Sequence, residues 1–253
     1  MIAVNVLGVK VHSISMEEAV KKLESFLTAE PSNGGRILKQ VVTPNPEIIM
    51  KAKKDKRLKN IINCADLVVP DGIGVVLANN KIKERVAGID LITNFFKTGV
   101  PLKVYLLGSE PDVAERASIN LSKKYPNIEV VGTYHGFFSN FEVDEILNEI
   151  DELKSDLLLV GLGSPKQEEF IFYKKPNVKI AIGCGGSIDV FAGKVKRASY
   201  IFRKLNLEWF YRIIKEPVRV KRILVIPVFL LLVLKQDIDK ILRGKNKKLK
   251  KGA

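Results

Sequence analysis

Short apolar runs alternate along the first 195 residues with longer segments in which apolar residues recur at helical spacing. Two of the runs, residues 104–107 and 157–160, contain no charged position. Strands of this kind are buried on both faces, as in a parallel sheet covered by helices. The pattern therefore predicts a Rossmann-like α/β domain over residues 1–195, with a mainly parallel sheet and helices on both faces.

The predicted strands and helices of this domain follow from the same pattern. Strands are expected at residues 4–11, 37–43, 67–69, 104–107, 129–133, 157–160 and 179–182. Helices are expected near residues 16–29, 46–62, 73–80, 89–98, 111–124, 142–153 and 166–174. Because helices separate the strands, the chain has the crossovers that parallel pairing requires.

The last part of the chain follows a different pattern. Residues 223–234 form an apolar run that contains Pro227. A helix that crosses a bilayer needs about 20 apolar residues, so this run is too short to span one. We expect residues 196–253 to form a helical appendage whose apolar run lies on a membrane surface. Packing of that run against the body, or against a second copy in a homo-oligomer, is the alternative.

The charge is distributed unevenly. Residues 194–253 hold 18 Lys and Arg against 4 Asp and Glu, whereas residues 1–193 hold 24 of each, so the whole net charge of +14 lies in the last 60 residues. An apolar run beside a polybasic tail is typical of a helix at an anionic membrane surface. A nucleic-acid partner would explain the charge but not the apolar run. The pattern therefore favours a membrane and no nucleic acid.

Several functional classes are excluded by what the sequence lacks. Cys64 and Cys184 are too few for a disulfide framework, which indicates a reducing compartment. The glycine-rich stretches at residues 161–166 and 183–188 lack the third glycine of the dinucleotide fingerprint, and there is no Walker A loop or nucleophile elbow. Only two histidines occur, and the N-terminus lacks a signal-peptide pattern. We expect no metal and no cofactor.

Loops rich in Gly, Pro, Asn, Asp and Ser follow five of the predicted strands. They lie at residues 43–46, 70–74, 108–111, 161–165 and 183–187. In open α/β sheets, ligands bind beyond the carboxyl ends of the strands. Backbone amides in such loops, with helix N-termini behind them, can hold a phosphate group without a metal. The five loops are therefore expected to form a ligand site along one edge of the sheet.

Asp71 is the candidate general base of this site. It follows an apolar strand and precedes Gly72. From the residues alone, its carboxylate is either a general base or an N-cap of the following helix. A choice between ligand contact and a simpler role stays open for the other polar residues of the loops: Thr43, Asn45, Arg85, Gln167, Glu168 and His135. In the simpler roles, Thr43 and Asn45 form turns, Arg85 is a solvated surface arginine, Glu168 complements the dipole of the helix that it opens with Gln167, and His135 is a loop residue. Cys184 is expected to be a small apolar residue.

Three arginines of the appendage have a spacing that suits a diphosphate. Arg212, Arg219 and Arg222 would lie within about 80° of one another on a helix. Guanidinium groups bind phosphate oxygens in a fork. The appendage is therefore expected to supply cations to a phosphorylated ligand.

Six ordered motifs of the chain resemble one bacterial family. They are Thr-Pro-Asn-Pro-Glu at 43–47, Ala-Asp-Leu-Val-Val-Pro-Asp-Gly-Ile-Gly-Val-Val at 65–76, Glu-Arg-Val-Ala-Gly-Ile-Asp-Leu at 84–91, Val-Gly-Leu-Gly-Ser-Pro-Lys-Gln-Glu at 160–168, Gly-Cys-Gly-Gly-Ser-Ile-Asp at 183–189 and Leu-Glu-Trp-Phe-Tyr-Arg at 207–212. In this order they resemble the TagA/WecG/CpsF family of glycosyltransferases.

The resemblance implies an inverting, metal-independent reaction. N-acetylmannosamine would move from UDP to the 4-hydroxyl of GlcNAc on undecaprenyl pyrophosphate, as in wall teichoic acid linkage-unit synthesis. The lipid-linked acceptor implies a peripheral location at the cytoplasmic face of the bacterial membrane. Other donors in the same family, UDP-N-acetylmannosaminuronic acid or UDP-glucose, are the alternative. A non-catalytic membrane scaffold is a third hypothesis.

The resemblance also implies roles for particular residues. Asp71 corresponds to the base that deprotonates the acceptor hydroxyl, Thr43 and Gln167 to polar residues of the sugar site, and Arg85 to a cation beside it. The three appendage arginines correspond to residues that close over the diphosphate. Together with those arginines, small and polar residues of the motifs and of the loop at residues 108–111 are expected to bind substrate: Asn45, Gly72, Asp90, Gly108, Gly161, Gly163 and Glu168.

Overall fold

A six-stranded parallel sheet forms the centre of the molecule. The computed structural model describes residues 1–30, 38–204, 208, 210, 211 and 225–249. The strands are β3 (Lys39–Val42), β4 (Leu67–Val68), β5 (Leu102–Gly108), β6 (Ile128–Tyr134), β7 (Leu157–Gly161) and β8 (Ile180–Gly183), in the order β4-β3-β8-β7-β5-β6. Every adjacent pair is parallel. The predicted α/β class with a mainly parallel sheet is therefore confirmed.

The N-terminal segment departs from the prediction. Instead of one strand over residues 4–11, β1 (Ile2–Val6) and β2 (Val9–Ser13) form an antiparallel hairpin outside the main sheet. The turn is Leu7-Gly8, with φ angles of 52° and 93°. Two successive residues at positive φ give a turn whose twist matches that of the strands. Because Leu7 is apolar, the run from residue 4 to residue 11 has the pattern of a single strand, and the pattern does not indicate the turn.

Helices cover both faces of the sheet, as the apolar strands require. They are α1 (Met16–Leu27), α2 (Pro46–Lys54), α3 (Lys56–Cys64), α4 (Ile73–Leu77), α5 (Gly88–Phe96), α6 (Val113–Lys124), α7 (Val143–Glu152), α8 (Lys166–Lys174), α9 (Ser187–Phe191), α10 (Tyr200–Lys204) and α11 (Val225–Leu249). Helices α1, α5, α6 and α9 share one core cluster. Helices α7 and α8 pack on the opposite face. Alternate strand residues supply the two cores, as in Leu158 and Leu159.

The helix predicted over residues 46–62 is two helices. Asp55 ends α2 and caps α3, because its carboxylate accepts hydrogen bonds from the backbone N–H groups of Arg57 at 2.8 Å and Leu58 at 3.3 Å. An aspartate in this position competes with the helix interior for backbone donors. The break lets both helices pack against the hairpin and the edge of the sheet.

Helix α11 packs on the body through one of its two apolar faces. Phe229 and Val233 are 0% and 4% exposed and join the core cluster that contains the hairpin, α2 and α4. Gln236 fixes the helix further, because its Oε1 accepts from the backbone N–H of Leu7 at 2.9 Å and its Nε2 donates to the carbonyl of Asn5 at 3.3 Å. The alternative that the run packs against the body is therefore correct for this face.

A buried histidine joins the hairpin to the sheet and predicts a pH-dependent stability. The Nδ1 atom of His12 accepts a hydrogen bond from the backbone N–H of Val68 at 2.9 Å. Burial, then the nearby charge of Lys10, lower the pKa of His12 from 6.5 to about 4. Because the unfolded chain binds this proton below pH 6.5 and the folded chain does not, stability should fall between pH 6.5 and pH 4, by up to about 3 kcal/mol.

Urea unfolding of the wild type and of His12→Asn across this pH range measures the effect. Asparagine keeps an acceptor for the Val68 N–H but does not titrate. We expect the free energy of unfolding of the variant to change less with pH than that of the wild type. Parallel curves for the two proteins would show that His12 does not contribute to the acid sensitivity.

Candidate active site

The five loops meet at the carboxyl-terminal edge of the sheet. Since the strands are parallel, the loops after β4, β3, β8, β7 and β5 follow one another along that edge in this order. Neighbouring strands lie about 4.8 Å apart, so residues that are remote in sequence become neighbours. Asp71 follows β4, Thr43 follows β3, and Gly183 ends β8. The predicted gathering of these loops is confirmed by the strand order.

Asp71 is half-buried, and hydrogen bonds through its carboxylate and its backbone connect it to two other segments. Its Oδ2 accepts a hydrogen bond from the backbone N–H of Gly88, the first residue of α5, at 3.2 Å. Its own N–H donates to the carbonyl of Pro44 at 3.2 Å. The helix that follows Asp71 begins after Gly72 and has no side-chain cap. The alternative that Asp71 caps its own following helix is therefore wrong, and its role as base stays a prediction.

Thr43 lies between Asp71 and the end of β8. Its Oγ1 donates to the carbonyl of Gly183 at 3.4 Å. A Cβ atom at Gly88 would lie 3.0 Å from that Oγ1, so a glycine is what allows α5 to approach the threonine this closely. The structure thus brings Thr43, Asp71 and the start of α5 together.

Asn45 and Gly72 serve local structure at this edge. The Oδ1 atom of Asn45 accepts from the backbone N–H of Ile48 at 2.9 Å and caps α2. Gly72 has a φ of 93°, and a Cβ there would contact Pro46 at 3.6 Å. The turn-forming role is therefore confirmed for Asn45, and direct binding of substrate by either residue stays a prediction.

Arg85 is not a solvated arginine. Its side chain is 12% exposed, and its Nη2 donates to Glu208 Oε2 at 2.9 Å and lies 3.8 Å from Asp90 Oδ2. The residue after it, Val86, donates its N–H to the carbonyl of Pro70 at 2.9 Å, which ties this segment to the Asp71 loop. The ordinary surface role that the sequence left open for Arg85 is therefore wrong.

A second arginine, which was not among the predicted site residues, completes this cluster. Arg197 Nη2 lies 2.6 Å from Asp90 Oδ2, and its Nε lies 3.7 Å from Glu208 Oε1. We call Arg85, Asp90, Arg197 and Glu208 the four-charge ring. Glu208 lies inside the motif at residues 207–212, but no pattern in the sequence links it to Arg85, which is 123 residues away.

Gln167 and Glu168 are buried in the first turn of α8. Gln167 Nε2 donates to Glu168 Oε1 at 2.8 Å, and Gln167 Oε1 accepts from the backbone N–H of Gly185 at 3.1 Å. Burial raises the pKa of Glu168, and neighbouring donors oppose the rise. At 1% exposure Glu168 is no surface complement to the helix dipole. The pair instead holds the loop after β8 against the loop after β7.

Glycines allow close backbone contacts along the middle of the edge. Gly108 has a φ of 137°, and a Cβ there would lie 2.6 Å from the carbonyl carbon of Gly161. A Cβ at Gly161 would in turn lie 2.9 Å from the carbonyl oxygen of Gly185. Gly163 also has a positive φ, of 74°, with open space where its side chain would be. Glycines at these positions therefore let the backbones of neighbouring loops approach one another closely.

Two residues that the sequence left open have local roles. His135 Nδ1 accepts from the backbone N–H of Phe137 at 3.2 Å, and its ring lies 4.9 Å from that of Tyr134. Cys184 is 8% exposed, and burial raises the pKa of its thiol to about 12. The expectation that Cys184 is a small buried residue is confirmed, and it is not a reactive thiolate at neutral pH.

The remaining predicted site residues lie outside the described part of the chain. They are Arg212, Arg219 and Arg222, so their role as a cationic clamp stays a prediction. Among the described residues, no group of three or more His, Cys, Asp or Glu side chains has a metal-binding arrangement. None of the described helices combines the length and apolar composition needed to cross a membrane.

Comparison with known proteins gives consistent similarities over most of the chain. The sequence model described as "Glycosyl transferase WecG/TagA/CpsF family" matches residues 4–242. A protein of Staphylococcus aureus strain MRSA252 is 37% identical over 235 residues, 90% of each chain, and a second of strain MW2 is similar to the same extent. Both are named N-acetylglucosaminyldiphosphoundecaprenol N-acetyl-beta-D-mannosaminyltransferase.

Proposed function

Because the chain belongs to the WecG/TagA/CpsF family and is a glycosyltransferase, we propose that it moves N-acetylmannosamine from UDP to GlcNAc-diphosphoundecaprenol. The observation that carries this proposal is the conjunction of two facts. Its relatives with this name match 90% of the chain, and the Asp71 loop stands beside Thr43 and α5 at the carboxyl-terminal edge. The product would be the β-1,4-linked disaccharide on its lipid carrier, in wall teichoic acid linkage-unit synthesis.

Asp71 is proposed as the base of a single in-line displacement. Its carboxylate takes the proton from the 4-hydroxyl of GlcNAc as that oxygen forms a bond to the anomeric carbon of the donor. The bond from the anomeric carbon to the diphosphate breaks, and UDP leaves with the electron pair. Attack opposite the leaving group inverts the anomeric centre, so one carboxylate suffices.

Cationic groups are proposed to stabilise the departing UDP. Negative charge grows on the diphosphate in the transition state, and fixed donors aimed at it lower the barrier. Arg85 lies in a segment that is hydrogen-bonded to the Asp71 loop through Val86 and Pro70, and the loop before α8, whose backbone amides are proposed to bind phosphate, lies at the same edge of the sheet. Arg212, Arg219 and Arg222 are proposed to close the site from the appendage, in place of a divalent metal.

A transfer assay tests the proposed reaction. The full chain is incubated with a synthetic GlcNAc-diphospho-lipid and with UDP-N-acetylmannosamine, UDP-N-acetylmannosaminuronic acid or UDP-glucose, and the glycolipid is identified by mass spectrometry. We expect the first donor to react about 100-fold faster than the others, and a chelator to leave its rate unchanged. Faster transfer from another donor would replace the proposed substrate, and no UDP release from any donor would refute the proposal.

The membrane surface is proposed as the place of this reaction, at the cytoplasmic face. Opposite its packed side, α11 exposes a second apolar face made of Val228, Leu231, Leu234 and Ile238, each 47–66% exposed. The whole net charge of +14 lies in residues 194–253, which include α11. Apolar burial and polybasic attraction together give stable membrane attachment where either alone is marginal. Reaching a lipid-linked acceptor requires such attachment.

Substituting two leucines of this exposed face should weaken binding to vesicles. We expect Leu231→Ser with Leu234→Ser to lower partitioning into phosphatidylglycerol vesicles at least about 10-fold, since each leucine loses its burial in lipid. Sedimentation with vesicles measures this, and thermal unfolding should be unchanged. Ile119→Ser is the matched control, because Ile119 is 67% exposed but lies on α6 of the body. Equal binding of the double variant and wild type would contradict the assignment of this face.

A further inference from the structure

The four-charge ring is the most buried ion-pair cluster among the described residues. The side chains of Arg85, Glu208 and Arg197 are 12%, 10% and 18% exposed, and that of Asp90 is 30% exposed. By contrast, the surface pair of Lys21 with Glu17 is 69% and 77% exposed. Surface ion pairs of that kind contribute little to stability, whereas a buried cluster holds its side chains in one geometry.

The ring joins two parts of the chain. Arg85 and Asp90 flank the segment that holds Asp71 through the Val86–Pro70 and Gly88–Asp71 hydrogen bonds. Arg197 and Glu208 come from the appendage, residues 196–253. Glu208 contacts both arginines, at 2.9 and 3.7 Å. The orientation of the Arg85 guanidinium therefore depends on where residue 208 sits.

We propose that Glu208 is a positioning residue, which holds Arg85 at the Asp71 loop and makes its orientation depend on the seating of the appendage. This inference rests on the proposed function and deepens it. Arginine is long and flexible, and a carboxylate partner is what selects one of its many conformers. Asp90 is the second carboxylate near the same guanidinium, since its Oδ2 lies 3.8 Å from Arg85 Nη2.

The consequence is that turnover is coupled to the seating of the appendage. With Glu208 in place, Arg85 is held for the charge that develops on the diphosphate. When Glu208 moves away, Arg85 loses its carboxylate partner at 2.9 Å and keeps Asp90 at 3.8 Å within the ring, so the restraint on the orientation of its guanidinium weakens. A displacement of about 1 Å in a group that acts on the transition state lowers a rate by up to about 100-fold.

Glu208→Gln in the full chain tests this role, because glutamine keeps the shape and removes the charge. We expect kcat for sugar transfer to fall about 10-fold or more, with KM for the UDP-sugar changed by less than about 3-fold. Glu208→Asp should restore part of the lost rate. In an Arg85→Lys background, Glu208→Gln should cost less than about 3-fold, since the two residues act as one unit. Glu17→Gln, at the exposed pair, is the matched control.

The outcomes separate this inference from the proposed function. A wild-type chain that transfers no sugar from any UDP donor defeats the proposed function itself. An active wild type with an equally active Glu208→Gln variant overturns only the positioning role. So does a loss of rate that aspartate does not restore and that comes with a matching fall in the melting temperature, since that pattern marks a structural role. Where Arg85→Lys turnover is below detection, the rescue by aspartate decides.

Discussion

Asp71→Asn should lower the rate of sugar transfer by about 100- to 10,000-fold while leaving the fold intact. A positioned base contributes roughly this factor to a displacement that removes a proton. Asparagine presents an amide oxygen where the carboxylate Oδ2 accepts from the Gly88 N–H at 3.2 Å, so the hydrogen bond that holds the loop against α5 is kept. Single-turnover transfer to the GlcNAc-diphospho-lipid measures the chemical step, and thermal unfolding reports the fold.

Asp156→Asn is a matched control for this substitution. Asp156 also accepts a hydrogen bond from a backbone N–H, that of Lys103 at 3.1 Å, and it also lies next to a strand of the sheet. It precedes β7, however, and so lies at the amino-terminal edge, away from the candidate site. We expect its transfer rate to equal that of the wild type. An Asp71→Asn enzyme that retains more than about a tenth of the wild-type rate would exclude Asp71 as the base.

The position of this site was predictable because it depends on local chemistry and on one topological rule. Apolar runs such as residues 157–160 mark buried strands, and small polar loops mark their ends. Once the strands are parallel, their carboxyl ends share an edge, whatever their order. Asp71 and Thr43 could thus be placed at one site from the sequence, although the order that makes them neighbours came only from the structure.

What the sequence did not predict depends on single side chains or on long-range pairing. The Leu7-Gly8 turn lies within a run whose residues alternate as in a strand. Asp55 divides a segment whose helical spacing of apolar residues continues on both sides. The four-charge ring needs Arg197 and Glu208, which no periodicity connects to Arg85. Ion pairs between remote segments leave no regular pattern in a sequence.

The sequence also did not assign separate roles to the two apolar faces of the helix in the appendage. Its apolar run and basic charge predicted attachment to a surface, but composition does not distinguish two faces of one helix. Phe229 and Val233 face the core, whereas Leu231 and Leu234 face outward, because a helix turns about 100° per residue. The first pair is therefore expected to determine stability and the second to determine binding to lipid.

Phe229→Ala should reduce the free energy of unfolding by about 3–5 kcal/mol, since the ring is fully buried among the hairpin, α2 and α4. That is a large share of the stability of a typical domain. Leu231→Ala, two positions on and 66% exposed, should change it by less than about 0.5 kcal/mol. Urea unfolding followed by circular dichroism compares the two variants with the wild type.

If Phe229 contributes this much to stability, truncation of the appendage does not test its cations alone. A protein ending at residue 195 loses Phe229 and Val233, which leaves the apolar residues of the hairpin and α2 exposed. Weak sugar transfer by such a protein would therefore reflect the damaged core as well as the loss of the appendage arginines. Substitutions in the full chain separate the two effects. If Phe229→Ala costs less than about 1 kcal/mol, α11 does not pack on the body in water, and truncation becomes a direct test of the cations that the appendage is proposed to supply.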